Sequence, residues 1–558
     1  MISRNDALQA MQEHPFDVIV VGGGITGAGV ALDAASRGYS VALVERDDFA
    51  QGTSSRSSKM VHGGLRYLQN FDLGLVREAL LERQLLARLA PHLVYPTPFL
   101  VPALGEDRRD RRIGIGLNMY DVMATSRLGR GRSQRNEHSS EPDYWSPERH
   151  RTISGEEAAE LIPALAPLDP SSAYLFYDCQ TDDVRLVLTV LGEAERFGAV
   201  VLNGAEVTDV LDENGRAAGV GCVEAATGAR FEVRAANVVN ATGVWADQIR
   251  PDELLTEEEI PKIRPSRGTH VTLSTDDLDI GTAACIVPAG GDRTIFALPW
   301  YGRVLAGTTD NDYEGDIDHV PPSDDDVEYI LDALNGMFGT SLGPGELTGA
   351  YAGVRPLISS GDPKKSVDIS RKAELYETSS GMLTITGGKL TTFRRMAALV
   401  VDRINEREGR EAECRTDDIP LGMGARPEDL ETSVELPEGA ADQLAFRYGH
   451  AARTVLDICD QRPEMAAPIV PGRPDLLAEA VVAARHEQAR SVADVLLRRT
   501  RLGLVAAPVL RERSTIETVA QTLGEELGWS DSRVAEEVDA WGRLAEAEGL
   551  DPAGALAQ

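Results

Sequence analysis

FDVIVVGGGITGAGVALDAASRGYSVALVE, residues 16–45, reads as strand, tight turn, helix and second strand. The first strand, ending in Val18–Val21, is apolar without alternation, as a strand buried on both faces of a parallel sheet requires. Gly22, Gly24 and Gly27 set G-x-G-x-x-G at the turn. The first glycine permits the bend, the second admits a pyrophosphate to the backbone, and the third lets helix and strand pack closely. Ile25 and Thr26 open the helix, whose free N–H groups and positive dipole end suit that pyrophosphate. Gly38 stops the helix, and Ser40–Val44 forms the second strand. Glu45 follows Gly24 by 21 residues, placed to accept from a ribose 2′-OH and to repel a 2′-phosphate. A lone glycine motif is weak. Inside this frame, closed by an acid, it specifies FAD or NAD rather than NADP.

The whole chain has 558 residues, room for about two or three domains. Its formal net charge is -33, with only six lysines. That balance argues against nucleic acid as a partner, because phosphate backbones are bound by clustered cations. The five cysteines, Cys179, Cys222, Cys285, Cys414 and Cys459, form no CxxC pair, so neither a disulfide framework nor a metal site is expected and a reducing compartment is. No secretion signal is expected at the N-terminus. No window approaches the ~18 uncharged apolar residues of a membrane span, while attachment through an amphipathic surface stays open.

Against this acidic background, SSRSSKMVHGGLRYL, residues 54–68, gathers Arg56, Lys59, His62 and Arg66 among hydroxyls and glycines. Thr53, Ser54, Ser55, Ser57 and Ser58 suit donors closing over a long dinucleotide with an isoalloxazine, and Arg56 and Lys59 are assigned to the same loop. Downstream, NVVNATGVWAD places Ala241, Thr242 and Gly243 at a second close-approach turn after an apolar strand. LTITGGKLTTFRRMAALVVDRI gives a strand, a turn through Gly388 and Lys389, and a long helix after Leu390 and Thr391. The start of that helix could stabilise negative charge on a flavin pyrimidine.

These motifs, with GTTD (307–310) and AGVRPL (352–357), occur in the order found in FAD-dependent glycerol-3-phosphate dehydrogenases, which the chain resembles from about residue 16 to 400. VLLRRTRLG, residues 495–503, resembles that family's extra helical domain. The resemblance implies FAD as cofactor and oxidation of the C2 alcohol of sn-glycerol 3-phosphate to dihydroxyacetone phosphate, with hydride passing to flavin N5. It implies contacts to substrate from Arg66, Tyr67, Arg355 and Lys389, with Arg267 keeping a positive charge where lysine is common. Guanidinium forks suit phosphate, and a lysine adds a compact charge. His62 and His270, in glycine-flanked motifs, are the candidate bases, and Arg355 could also stabilise an alkoxide. His62, Gly63 and Gly64 are further assigned to the cofactor loop. No metal is expected.

The expected fold is an α/β FAD-binding Rossmann-like domain, a mostly antiparallel substrate sheet and a C-terminal all-α domain. The FAD domain is expected from 1–91, 181–261 and 351–408, the substrate domain from 92–180 and 262–350, a linker at 409–439 and the helical domain at 440–558, with Ser514 and Ser530 as helix N-caps. The resemblance further implies a respiratory quinone as electron acceptor and a cytoplasmic protein held peripherally at the inner face of the cell membrane; a homodimer is allowed. Three alternatives stay open: an oxidase using oxygen, a related amine or hydroxyacid oxidase, and a flavin-binding protein without turnover.

Overall fold

The computed structural model describes residues 4–64, 72–104, 111–124, 149–249, 263–291, 293–358 and 373–551. Its first sheet runs in the order Glu374–Glu377, Leu383–Thr386, Arg230–Asn240, Phe16–Val21, Val41–Val44, Val200–Leu202. All neighbours are parallel except the outermost pair, Glu374–Glu377 with Leu383–Thr386. Side-chain alternation explains why the strands read as unbroken apolar runs. Val18 and Val20 face the helices Ile25–Ser36, Asp183–Arg196 and Phe393–Glu408. Ile19 and Val21 face the helix Arg4–Glu13 and an antiparallel meander built from Ala205–Asp212 and Ala217–Glu224. Both faces are dry, so both parities must be apolar.

A second sheet of ten strands centres on Ile263–Ser274, Arg303–Gly307, Thr294–Trp300 and Ala284–Pro288, continued by Tyr95–Ala103 and Ser172–Gln180. Only Ala284–Pro288 with Tyr95–Ala103 pairs in parallel. The helix Asp324–Phe338 covers one face, N-capped by Ser323 accepting from Asp326 N.

Two segments fall outside the expected domain limits. Met60–Val61 pairs with Ser172–Gln180 in the second sheet. Leu347–Ile358 pairs along its length with Ile263–Ser274, so residues 351–358 belong to the second sheet and not to the FAD domain. The strand carries Arg355, opposite Ser266 of Ile263–Ser274.

The last part of the chain is helical, with Ala440–Tyr448, Ala452–Gln461, Leu477–His486, Arg513–Leu527 and Asp531–Ala547. Ser530 caps the final helix, accepting from Arg533 N at 3.3 Å. Ser514 does not cap its helix: the helix opens one residue earlier, leaving Glu512 at the N-cap.

Candidate active site

The glycine turn builds one end of a cleft of about 530 Å³, within the range of cofactor pockets. Gly22 sits at φ +111°, and a Cβ there would lie 2.7 Å from Ala241 O. A Cβ on Gly27 would lie 1.9 Å from Gly22 O, so Gly27 serves strand–helix packing behind the cleft. Gly24 is the N-cap of Ile25–Ser36, and Ser54 Oγ accepts from Ile25 N at 3.0 Å. Glu45 accepts through Oε2 from Gly23 N at 2.6 Å and through Oε1 from Asp47 N at 3.0 Å. Burial pushes its carboxyl up to about 7, against those two backbone donors. Gly22, Gly24, Ile25, Thr26, Glu45, Thr53 and Ser54 line the cleft, and Ala241, Thr242, Gly243, Gly388, Lys389 and Leu390 line it from the other turns. Close glycine backbone, a helix N-terminus and a carboxylate acceptor at this spacing fit the pyrophosphate and ribose of FAD.

Other residues assigned to the cofactor loop stand elsewhere. Lys59 is fully buried, with Nζ donating to Ser55 O at 2.5 Å and Asp183 Oδ2 at 2.8 Å and lying 4.8 Å from the Tyr351 ring centroid. Burial, reinforced by the Arg501 guanidinium, lowers its amine to about 7. Lys59 is therefore a bolt beneath the loop and not a cofactor contact. Ser58 Oγ meets His270 Nε2 at 2.8 Å. Thr391 brackets His62, whose N–H donates to Thr391 Oγ1 at 3.1 Å while that hydroxyl donates to His62 O at 3.2 Å. Gly63 donates to Tyr120 OH at 2.9 Å, and Gly64 takes φ +76°. None of these residues lines the cleft itself. Arg56 pairs with Glu548 at 2.8 Å, tying the loop to the last helix. Arg66 and Tyr67 lie outside the described residues.

On the second sheet, strand parity sorts the remaining cations. Arg355 stands opposite Ser266 and lays its guanidinium across Gly268, where a Cβ would lie 2.4 Å from Arg355 Nη2. Nη2 donates to Thr308 Oγ1 and Thr309 O, each at 3.1 Å, and Nη1 lies 3.3 Å from Asp310 Oδ1. The next residue, Pro356, lines the cofactor cleft. His270, two positions from Gly268 on the same face, is buried and stacks on Tyr351 with 4.9 Å between centroids. Burial, with the nearby Lys59 and Arg355 charges, holds its imidazole well below the usual histidine value.

Arg267 has the opposite parity. Its Nε lies 2.9 Å from Asp326 and its Nη2 donates to Ser323 at 2.6 Å, at the start of Asp324–Phe338. The substrate role assigned to it is corrected: alternation along the strand turns it toward the covering helix.

Trp245 and Ser57 also line the cleft. Trp245 was inside a motif already recognised, but its ring is fixed from afar, by Asp318 at 2.9 Å and by the Arg46 guanidinium at 5.1 Å from the centroid. The acids of FYDCQTDDVRLVL, residues 176–188, read as caps of the helix that follows. Asp182 caps Asp183–Arg196, accepting from Arg185 N, while Asp183 reaches across the fold to fasten Ser57 and Lys59.

A dinucleotide cleft of this construction, beside the Arg355 guanidinium and His270 of a second sheet, defines an FAD-dependent oxidoreductase. Residues 17–394 match the FAD dependent oxidoreductase family, and residues 414–534 match the C-terminal domain of alpha-glycerophosphate oxidase. The chain is 37% identical to glycerol-3-phosphate dehydrogenase 2 of Mycobacterium tuberculosis, over 98% of this chain and 91% of that one. It is 32% identical to the aerobic glycerol-3-phosphate dehydrogenase of Bacillus subtilis, over 95% and 94%. The crystal structure of glycerol-3-phosphate dehydrogenase from Bacillus halodurans, complexed with FAD, superposes with a TM-score of 0.75 at 27% identity, covering 98% and 97%. The chain belongs to the family of FAD-dependent glycerol-3-phosphate dehydrogenases.

Proposed function

We propose that the protein oxidises sn-glycerol 3-phosphate to dihydroxyacetone phosphate and passes the electrons to a membrane quinone. The observation that carries this reading is Arg355, whose guanidinium is spread over Gly268 beside the cofactor cleft. A fixed guanidinium there suits a phosphate by charge and by fork geometry. Lys389, on the cleft wall, adds a second positive charge.

When bound, FAD supplies the two-electron acceptor for the hydride leaving C2. The chain supplies the proton acceptor and the positioning. His62 is the better base of the two histidines, because it is only partly buried and its backbone is fixed on both sides by Thr391. His270 is closed in between Ser58 and Tyr351 and is 3% exposed, which suits a group that positions the loop. Arg355 and Lys389 also favour the alkoxide that forms as the proton leaves.

Among the described residues no helix is long and apolar enough to cross a membrane. Support for peripheral attachment at the inner membrane face comes from the helix Arg111–Ala124, which turns Ile115 and Val122 outward at 62% and 70% exposure. Partly inserted apolar side chains of this kind anchor a protein at a lipid surface.

The test is steady-state reduction of a quinone analogue by purified protein with glycerol 3-phosphate, with oxygen and peroxide followed in parallel. Rapid quinone reduction with little peroxide is expected. Peroxide formed in step with substrate loss, with the quinone left oxidised, would replace the quinone with oxygen.

A further inference from the structure

The segment Asp494–Gly503 of the helical domain packs into that domain's core and reaches beneath the cofactor loop. Asp494–Arg499 winds as a π-helix, a wide turn that often marks a functional position. It sets two consecutive arginines on one acid: Arg498 meets Asp48, and Arg499 grips both oxygens of Asp48 at 2.8 and 2.9 Å. These guanidiniums hold the Asp48 carboxyl down at about 2 against its burial.

Two residues later Arg501 takes φ +68°, a left-handed conformation that costs energy for a residue with a side chain. That backbone aims a fully buried guanidinium at the loop. Nη2 donates to Asp183 Oδ1 at 2.7 Å and to Ser55 O at 3.1 Å, while Nη1 donates to Leu497 O at 2.8 Å.

The contacts continue to the site. Asp183 Oδ2 accepts from Lys59 Nζ at 2.8 Å and from Ser57 Oγ at 2.7 Å. Ser57 lines the cofactor cleft, and its carbonyl accepts from Tyr351 OH at 2.9 Å. Tyr351 in turn stacks on His270. Buried ion pairs add little net stability over apolar packing, but they fix geometry because a misplaced charge is costly. Here they fix one loop, the hydroxyl-rich stretch that carries Ser54 and Ser57.

We propose that Arg501 of the helical domain is a positioning residue for the FAD site, acting through Asp183, Lys59 and Ser55 to hold the loop 53–59 in its FAD-binding conformation. The helical domain thereby takes part in cofactor retention. The claim rests on the FAD site alone and is indifferent to which alcohol is oxidised.

The test compares Arg501→Gln, Arg501→Lys and Leu523→Ala with the full-length parent. Leu523 is a fully buried core residue of the helical domain and serves as a control for lost stability. The readouts are the FAD dissociation constant of deflavinated protein, the visible flavin spectrum and Tm. Arg501→Gln should weaken FAD binding at least about tenfold and alter the flavin band, with Arg501→Lys between it and the parent. Leu523→Ala should lower Tm and leave the FAD constant within about twofold. Wild-type FAD affinity and spectrum in Arg501→Gln, or equal weakening in Leu523→Ala, would overturn the proposal. Should Arg501→Gln fail to accumulate, Arg501→Lys decides: a constant raised about threefold or more supports the proposal, and a smaller change overturns it.

Discussion

Replacing Arg355 with alanine tests the substrate reading at its most exposed point. The guanidinium already has protein partners at 3.1 Å on Thr308 and Thr309, and a looser one at 3.3 Å on Asp310. It is therefore pre-positioned and loses little freedom when an anion arrives. Charge-assisted hydrogen bonds contribute ~1.5–3 kcal/mol each. The side chain is 26% exposed, so the lower figure applies through solvent screening. Two such bonds to a phosphate come to ~3 kcal/mol, or about 150-fold in kcat/KM. Because Arg355 does not line the cofactor cleft, the FAD content of Arg355→Ala should match the parent. Gly268→Ala should imitate the effect, since its Cβ would press on Nη2 from 2.4 Å. The assay is dye-linked oxidation of glycerol 3-phosphate over a range of concentrations, with FAD measured by absorbance after denaturation. A fall in kcat/KM below about fivefold in Arg355→Ala, at full FAD content, would refute the assignment.

Three further predictions concern the cleft and the fold. Gly27→Ala should yield insoluble or colourless protein, because its Cβ would meet Gly22 O at 1.9 Å; a yellow, folded variant would contradict the packing argument. Glu45→Ala removes the acceptor of Gly23 N and of a ribose hydroxyl, and FAD titration should show binding weakened by about tenfold or more; unchanged affinity would exclude Glu45 from the ribose site. Burial lowers the His92 imidazole to about 4 from an ordinary 6.5. The unfolded chain therefore takes up a proton first as pH falls, and stability drops between about 6.5 and 4 by no more than ~3 kcal/mol, then levels. Thermal melts at about pH 7.5 and pH 4.5 should show a smaller acid loss in His92→Gln than in the parent; an identical loss would remove His92 as a cause.

Where the chemistry is local, the chain could be read directly. Gly22, Gly24, Glu45 and the apolar run Val18–Val21 are fixed by their own backbone requirements, so spacing alone places them. Lys59 and Arg267 were misplaced because their partners are distant. Lys59 answers to Asp183, 124 residues on, and Arg267 to Asp326 on a covering helix. In Arg267 the deciding variable is strand parity: one position shifts a side chain from the cleft face to the helix face, and composition carries no record of it. The limit expected between residues 350 and 351 cuts the strand Leu347–Ile358, because its pairing with Ile263–Ser274, a segment far back in the chain, is what holds those residues in one strand. The link from Arg499 to Asp48 spans 451 residues and left no mark that a local reading could detect.

The central claim is that fixed cations hold a phosphorylated alcohol against the cofactor, and anaerobic titration of the bound flavin tests it most directly. Glycerol 3-phosphate should bleach the visible flavin band at one equivalent per site, while plain glycerol and lactate leave it intact. Bleaching by glycerol or lactate at comparable concentrations, or a band that glycerol 3-phosphate does not touch, would contradict the account.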